Sequence, residues 1–380
     1  MLPEVRRMNR LRLAGPILAL PCLALLVVSA QAGAAKSQPN KVKKTSQPIL
    51  TLAMDGPRVA YMRNGRRVAV WNVVTGKTAA IKGTYPSKGS RFGDSYHDEV
   101  AIAGRRVALI TRFATGNSQE TQERLYTAPL GGTARQIGKP TNHVTTPGYP
   151  GLSSGDWIGG LVGSGKVLAV STWTSNDSVS SGERLSLITP NRLRMIVTGP
   201  GAIVAESAAG GHIAVLRSTL AWPASGVGPV TTAPSAGVYS ADGTLLREIT
   251  PSSAREIALS GKRLVVLTST NTLEVYKWTT GELVHTWPVA TPRQEGGDLA
   301  IYGNLAVYVV DPRFWTRRLH LLDLTTGKDV VIATVTGGGD GVIGLKGLAY
   351  SVNSLSSSHG RHPHGKLVFV PTSKLLAMLK

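Results

Sequence analysis

One phrase returns seven times along this chain: an apolar run, a tight glycine turn and a second apolar run. It reads TLAMDGPRVAYM at 51–62, VAIAGRRVALI at 100–110, GLVGSGKVLAVS at 160–171, SAAGGHIAVL at 207–216, REIALSGKRLVVLT at 255–268 and DLAIYGNLAVYVV at 298–310, with a blurred copy, GVIGLKGLAYSV, at 341–352. A lone hairpin cannot bury its apolar faces, so a chain that repeats one must stack the copies on each other. The turn residues Gly56, Gly104, Gly165, Gly210, Gly261 and Gly303 lie 48, 61, 45, 51 and 42 residues apart, and a seventh turn near Leu345 follows 42 later. Four strands of about five residues with their turns occupy roughly 40 to 50 residues, so each interval holds one propeller blade and a variable loop.

A second phrase supplies the other half of each blade. VAVWNVVTGK (68–77), LEVYKWTTGE (273–282) and LHLLDLTTGK (319–328) align without a gap, and VYSADGTLLREI (238–249) is a looser copy with a shorter turn. Glycine accepts the positive φ of hairpin turns, and the β-branched and apolar residues before it favour strand. The expected fold is all-β: a β-propeller over residues 49–380, of seven four-stranded blades. A helical solenoid is excluded, because no long stretch beyond the N-terminus carries apolar residues at 3.6 spacing.

The N-terminus reads as a targeting segment. Arg6, Arg7, Arg10 and Arg12 precede an apolar run from Leu13 to Ala30, and small residues follow in VSAQAGAA, which defines residues 1–35 as a signal peptide cleaved between Ala30 and Ala35. The product is then a secreted or extracytoplasmic bacterial protein. The run is also long enough to span a bilayer, so an anchor through 13–30 is the alternative. Cys22, the one cysteine, is followed by further apolar residues where a lipidated cysteine would end the stretch, and Asn9 and Arg10 spoil a twin-arginine signal. A mature chain without cysteine has neither disulfides nor thiol chemistry, and ring closure must supply its stability.

Residues 36–48, KSQPNKVKKTSQP, read as a basic polar linker. Loss of the four leader arginines and Glu4 takes the formal charge from +20 to +17, a field that favours anionic partners such as phospholipid head groups or acidic wall polymers. Lys36, Lys41, Lys43 and Lys44 could tether the ring to such a surface. Nucleic acid is excluded as a partner, since the chain carries no helix-turn-helix, zinc finger or basic motif interleaved with aromatics.

Propeller topology sorts the connections onto two faces. The short glycine turns fall on one, and the variable segments 112–124, 172–183, 217–236, 311–318 and 353–365 fall on the other as loops between the second and third strands, the natural place for a binding site. Trp173, Trp222 and Trp315 stand in these segments, where an exposed indole can stack on a sugar or anchor a peptide; Trp71, Trp278 and Trp287 fall inside strand phrases and are packing residues. Glu99, Glu206, Glu256 and Asp298 each lie five residues before a turn glycine (Gly104, Gly211, Gly261 and Gly303), and Asp340 five before Leu345. Equivalent positions in successive blades form a ring about the axis. Such carboxylates could hold Ca²⁺ or a cationic ligand, or accept backbone N–H bonds from the adjacent blade and staple the ring. His359, His362 and His364 in SSSHGRHPHG are weak candidates for a transition metal, and His97, beside Asp98, and His143 for general bases. No GxSxG, HExxH or P-loop motif is present.

VWNVVTGK, VYKWTTGE and LLDLTTGK resemble the strand-turn signature of bacterial WD40-like and quinoprotein-like (YVTN-type) propeller repeats, and MDGPRVAYMRNGRRVAVWNVVTG is similar to TolB-type repeats. The resemblance covers residues 49–380 and implies fold only. The tryptophan-docking signature of quinoprotein dehydrogenases is missing, so no quinone cofactor is implied, and the Gly-His and Trp-Asp dipeptides of eukaryotic WD40 blades are absent as a set. The functional expectation is a non-enzymatic scaffold that binds a protein or an anionic envelope component, at the membrane surface or wall, through its loop-bearing face. The alternative is a hydrolase or lyase acting on a sugar or lactone, with Ca²⁺ as a possible cofactor.

Overall fold

A computed structural model describes residues 39–63, 67–83, 99–114, 120–145, 153–176, 179–198, 202–221, 230–290, 299–313, 316–336, 340–354 and 364–380. The segment read as a signal peptide, 1–35, with Cys22 and the run 13–30, lies outside them. After an N-terminal strand, β1 (Lys41–Thr45), blade 1 comprises β2 (Ile49–Asp55), β3 (Arg58–Arg63), β4 (Arg67–Asn72) and β5 (Thr78–Ala80). Blade 2 is β6 (Glu99–Ala103), β7 (Arg106–Ala114), β8 (Glu120–Pro129) and β9 (Arg135–Thr145), and blade 3 is β10 (Ser153–Ser164), β11 (Val167–Asn176), β12 (Val179–Ile188) and β13 (Leu193–Thr198). Blade 4 is β14 (Ala202–Ala209), β15 (His212–Ala221), β16 (Val230–Ser240) and β17 (Leu245–Ile249), and blade 5 is β18 (Glu256–Ser260), β19 (Arg263–Leu267), β20 (Thr272–Lys277) and β21 (Glu282–Pro288). Blade 6 is β22 (Ala300–Tyr302), β23 (Leu305–Arg313), β24 (Thr316–Asp323) and β25 (Asp329–Thr336). Blade 7 holds β26 (Gly341–Gly344), β27 (Gly347–Asn353) and β28 (Gly365–Pro371), and a short helix, α1 (Thr372–Met378), follows. The expected architecture holds: seven four-stranded antiparallel blades stand around one axis.

The turn glycines repeat because the turns repeat. Gly56, Gly104, Gly165, Gly210, Gly261 and Gly303 all adopt φ between 55° and 61°, a left-handed conformation that a Cβ disfavours. In blade 7 the positive φ moves to Gly347 (146°), which explains the blurred seventh copy.

The middle strands are apolar on successive residues because neighbouring blades cover both of their faces. Seven core clusters result, one at each blade interface. That between blades 2 and 3, for example, joins Ala108, Ile110 and Leu125 to Leu168, Val170 and Ile188. Trp71 and Trp278 are buried in this packing, and the Trp278 indole donates to Gly261 O at 2.8 Å.

Two expectations need correction. The segment read as a linker, 36–48, contains β1, which pairs antiparallel with β28 from Lys41↔Phe369 to Thr45↔Gly365 and becomes the outer strand of blade 7. The basic lettering concealed a strand whose inward residue, Thr45, is buried while Val42 and Lys44 face outward. Also, most of the supposed loop insertions are strand: β7–β8, β11–β12 and β15–β16 run on as raised hairpins, and β9 pairs with β10 across blades through Thr145↔Ser153 and His143↔Gly155. Their Ser- and Thr-rich sequence reads as loop, yet β-branched threonine suits a partly exposed sheet.

The ring closes a second time through a side chain. Asn353 Oδ1 accepts from Ile49 N and its Nδ2 donates to Ile49 O, both at 2.8 Å, so blade 7 grips the first strand of blade 1. Ile49 is buried, so Asn353→Ala strands its N–H and should lower unfolding free energy by about 1–3 kcal/mol in urea melts.

Candidate functional site

The register of β10 slips between Ile158 and Leu161, leaving Gly159 and Gly160 out of the ladder. A slip of this kind frees backbone polar groups that must find other partners, and blades 2 and 4 provide them. On β7 and β8, Arg112 and Glu123 are cross-strand neighbours. Glu123, fully buried, accepts from Arg112 Nε and from Ile158 N. Arg112 Nη2 donates to Ile158 O at 2.6 Å and to Gly159 O at 3.1 Å, and its Nη1 lies 3.5 Å from Glu99 Oε1. Glu99 Oε2 accepts from Leu161 N at 2.8 Å.

Glu206 approaches the same bulge from the opposite side. Glu99 and Glu256 stand four residues before the residues that flank their turns, Ala103 and Ser260, whereas Glu206 stands three before Ala209. It is therefore out of phase with the acidic ring inferred from the turn glycines: blade 4 turns on two glycines, and Gly210 is the equivalent one. That single-residue offset reverses the face from which the side chain projects, and it directs Glu206 back onto blade 3. There its carboxyl bonds the Ser171 hydroxyl and the Gly160 backbone, while Ser171 Oγ accepts from Gly160 N at 2.9 Å. A Cβ on Gly160 would collide with Glu206 Oε2, so glycine is required by this close approach. Glu206 Oε1 is buried with no hydrogen-bond partner among the described residues.

The two carboxyls are both held in their acid form more strongly than usual. Burial is the main cause for Glu99, whose pKa rises to about 7; Arg112 opposes the rise, Glu206 adds to it, the Leu161 N–H opposes it and Glu123 adds to it. Burial likewise raises Glu206, against its bonds from Ser171 and Gly160. Glu99 keeps 34% of its side-chain surface in solvent, so water tempers the effect. The cluster thus sets a carboxyl whose pKa is raised toward neutrality beside Glu123, which is ion-paired with Arg112. Most of its oxygens are nevertheless occupied with backbone groups of the next blade.

The same device recurs elsewhere in the ring. β14 slips after Ile203, and Ile203 N donates to buried Glu183 of β12; β2 slips after Ile49, the residue gripped by Asn353. Glu123, Glu183, Arg112 and Ser171 were not singled out in the sequence. The available signal was the Glu-Arg-Leu that the third strands of blades 2 and 3 share, Glu123–Leu125 and Glu183–Leu185.

The remaining candidates are scattered. Glu256 is buried at the start of β18, and Asp340 forms an ion pair with Arg317 at 3.0 Å. Trp173 is not in a loop: it lies on β11 opposite Trp157 of β10, and the two rings stack at 5.3 Å on the raised part of blade 3. His364 bonds Ser354 through Nδ1 at 2.9 Å and closes the base of the blade 7 hairpin; His143 contributes backbone to β9. Asp298, Trp222, Trp315, His359, His362, His97 and Asp98 lie outside the described residues. Among the described residues no group of three or more His, Cys, Asp or Glu side chains is placed to hold a metal ion.

No family model matches the sequence, and no curated protein matches it. Among solved structures the chain is similar to a computationally designed protein, Ika8, at 12% identity and a TM-score of 0.41, over 86% of this chain and 98% of that one.

Three outcomes follow from this geometry. Because the folded-state pKa of Glu99 lies above its unfolded value, the stability this carboxyl contributes is complete below about pH 4.3 and is lost as pH rises through about 7. Melting temperature against pH should therefore fall less steeply over that window in Glu99→Gln than in the parent. Gly160→Ala should cost about 1 kcal/mol by displacing the Glu206 carboxylate, and almost nothing in a Glu206→Ala background, a coupling that a double-mutant cycle measures. Gly163→Ala, whose Cβ would meet Ile102 O at 2.6 Å, should cost more, since that neighbour is backbone.

Proposed function

We propose that this chain is an extracytoplasmic binding propeller that holds a protein or an anionic envelope component on its loop-bearing face and performs no chemistry on it. The observation that carries this reading is the use made of the carboxylates between blades 2, 3 and 4. Glu99, Glu123, Glu183 and Glu206 accept backbone N–H groups from a neighbouring blade, as structural staples do, and in doing so they stiffen the part of the ring beneath the raised hairpins. Those hairpins extend blades 2 to 4 well beyond the core and give the loop face a wall on one side, with the Trp157–Trp173 stack on it. A rigid scaffold with an uneven, aromatic-bearing rim suits recognition of a macromolecule. Kinship with the bacterial WD40-like, YVTN-type or TolB-type propellers is part of the same proposal and rests on the repeat phrases alone.

A second reading, a hydrolase or lyase on a sugar or lactone, is favoured by one observation, the proton-holding Glu99 beside Glu206 at the axis. One experiment separates the two. Immobilised protein is challenged with purified acidic wall polymer and with solubilised envelope proteins, and the parent is compared with a variant whose hairpins are cut back to Arg112–Glu123 and Thr172–Glu183 and closed by Asn-Gly turns. Capture lost in the trimmed variant, with hydrolysis of glycoside and lactone panels no faster than in Glu99→Gln/Glu206→Gln, is the expected result. Turnover abolished by that double substitution would overturn it in favour of the enzyme.

A further inference from the structure

The face opposite the raised hairpins has one distinctive sector, where the ring closes. Four large apolar side chains stand out there: Val74 (57% exposed) in the β4–β5 turn, Leu345 (55%) in the β26–β27 turn, and Leu376 (47%) and Met378 (37%) on and beside the outer surface of α1. Among the described residues, the other strongly exposed large apolar side chains lie on strands. Hydrogen bonds tie the three pieces into one sector. Thr372, the first residue of α1, donates from its N to Lys346 O and from its hydroxyl to Leu345 O, both at 3.1 Å. Lys41 of the closing strand donates to Val73 O at 2.6 Å and to Val74 O at 3.3 Å, and so links blade 7 to the turn of blade 1. The helix is itself fastened by Leu375, which is fully buried, so its outward residues project from a fixed base.

The charge in this sector is mainly positive. Lys77, Lys346, Lys374 and Lys380 flank the apolar residues, none of residues 73–77, 345–346 and 372–380 is acidic, and the carboxylate of the adjoining β2–β3 turn, Asp55, is engaged by the Gly104 and Gly165 N–H groups. Single apolar residues set among lysines are the pattern of a surface that inserts shallowly into the head-group region while its ammonium groups meet lipid phosphate. A partner protein would be expected to bring a continuous apolar patch or matching carboxylates; here the apolar residues are separate and each has a lysine close by in sequence.

We propose that the turn face of blades 7 and 1 docks on an anionic phospholipid surface and so points the raised hairpins away from the membrane. The proposal goes beyond the loop-face reading, sharing with it only the extracytoplasmic setting, and it can fail without affecting that reading.

The test uses residues 36–380, which contain every strand of the closed ring, in sedimentation with vesicles of phosphatidylglycerol and phosphatidylcholine or of phosphatidylcholine alone. Binding to the anionic vesicles with little to the neutral ones is expected. Lys346→Glu/Lys374→Glu and Leu345→Ser/Leu376→Ser should each weaken it by about tenfold or more, whereas the remote pair Arg184→Glu/Arg318→Glu, also exposed, should weaken it less than about twofold. Melting temperatures close to the parent's certify that each variant is folded. No sedimentation with anionic vesicles, binding that survives both sector variants, or an equal loss in the remote pair, which would mean that net charge alone is responsible, each overturns the proposal.

Discussion

Everything in this protein depends on the pairing of its first strand with its last. A row of stacked blades leaves one apolar face bare at each end, and only by curving into a ring can the end blades cover each other. β1 fastens that ring by supplying the outer strand of blade 7, and Asn353 adds a pair of hydrogen bonds to the first strand of blade 1. Ile49 and Trp71 from one end of the chain then share a core with Leu367 and Phe369 from the other. Two distinct faces, and an axis on which side chains from different blades can meet, exist only because this seam is closed.

A second constraint governs the axis. Where an innermost strand slips in register, a backbone N–H is freed inside the protein, and leaving it unpaired costs about 1–3 kcal/mol. Glu123, Glu183 and Asn353 answer the same need at three blade interfaces. Buried carboxylates in a strongly basic chain thus have a structural use that requires no ligand. Among the described residues blade 3 has a further feature: its paired glycines bring the backbone so close that carboxyls from blades 2 and 4 converge on it, and burial, with Glu206 nearby and against Arg112, raises the pKa of Glu99 to about 7. This convergence of two acids is the observation behind the second, enzymatic reading.

The fold was legible in the sequence because its signal is local. Each turn glycine marks a backbone corner that only a residue tolerant of positive φ fits well, and each second strand announces its double burial by an apolar run. The site was only partly legible. Glu99 and Glu206 were found by counting from glycines, but the count could not see the strand slips or the choice between Gly210 and Gly211, so it placed Glu206 in a uniform ring instead of facing Glu99. Glu123 and Glu183 were missed because a glutamate in a strand looks the same whether it meets solvent or a backbone N–H of the next blade. Trp173 was taken for a loop residue because serine and threonine around it are as frequent in turns as in exposed strands.

By itself, then, the sequence determined the blade number, the turn between the first and second strands of every blade and the apolar character of the second strands, since each follows from interactions within some fifty residues. Tertiary structure decided the identity of the closing strand, the meeting of Glu99 with Glu206 over Gly160, and the gathering of Val74, Leu345, Leu376 and Met378 in one sector. These depend on residues as much as 304 positions apart or more in the chain, brought together by ring closure, and no local pattern of residues encodes a contact whose two halves lie in different blades.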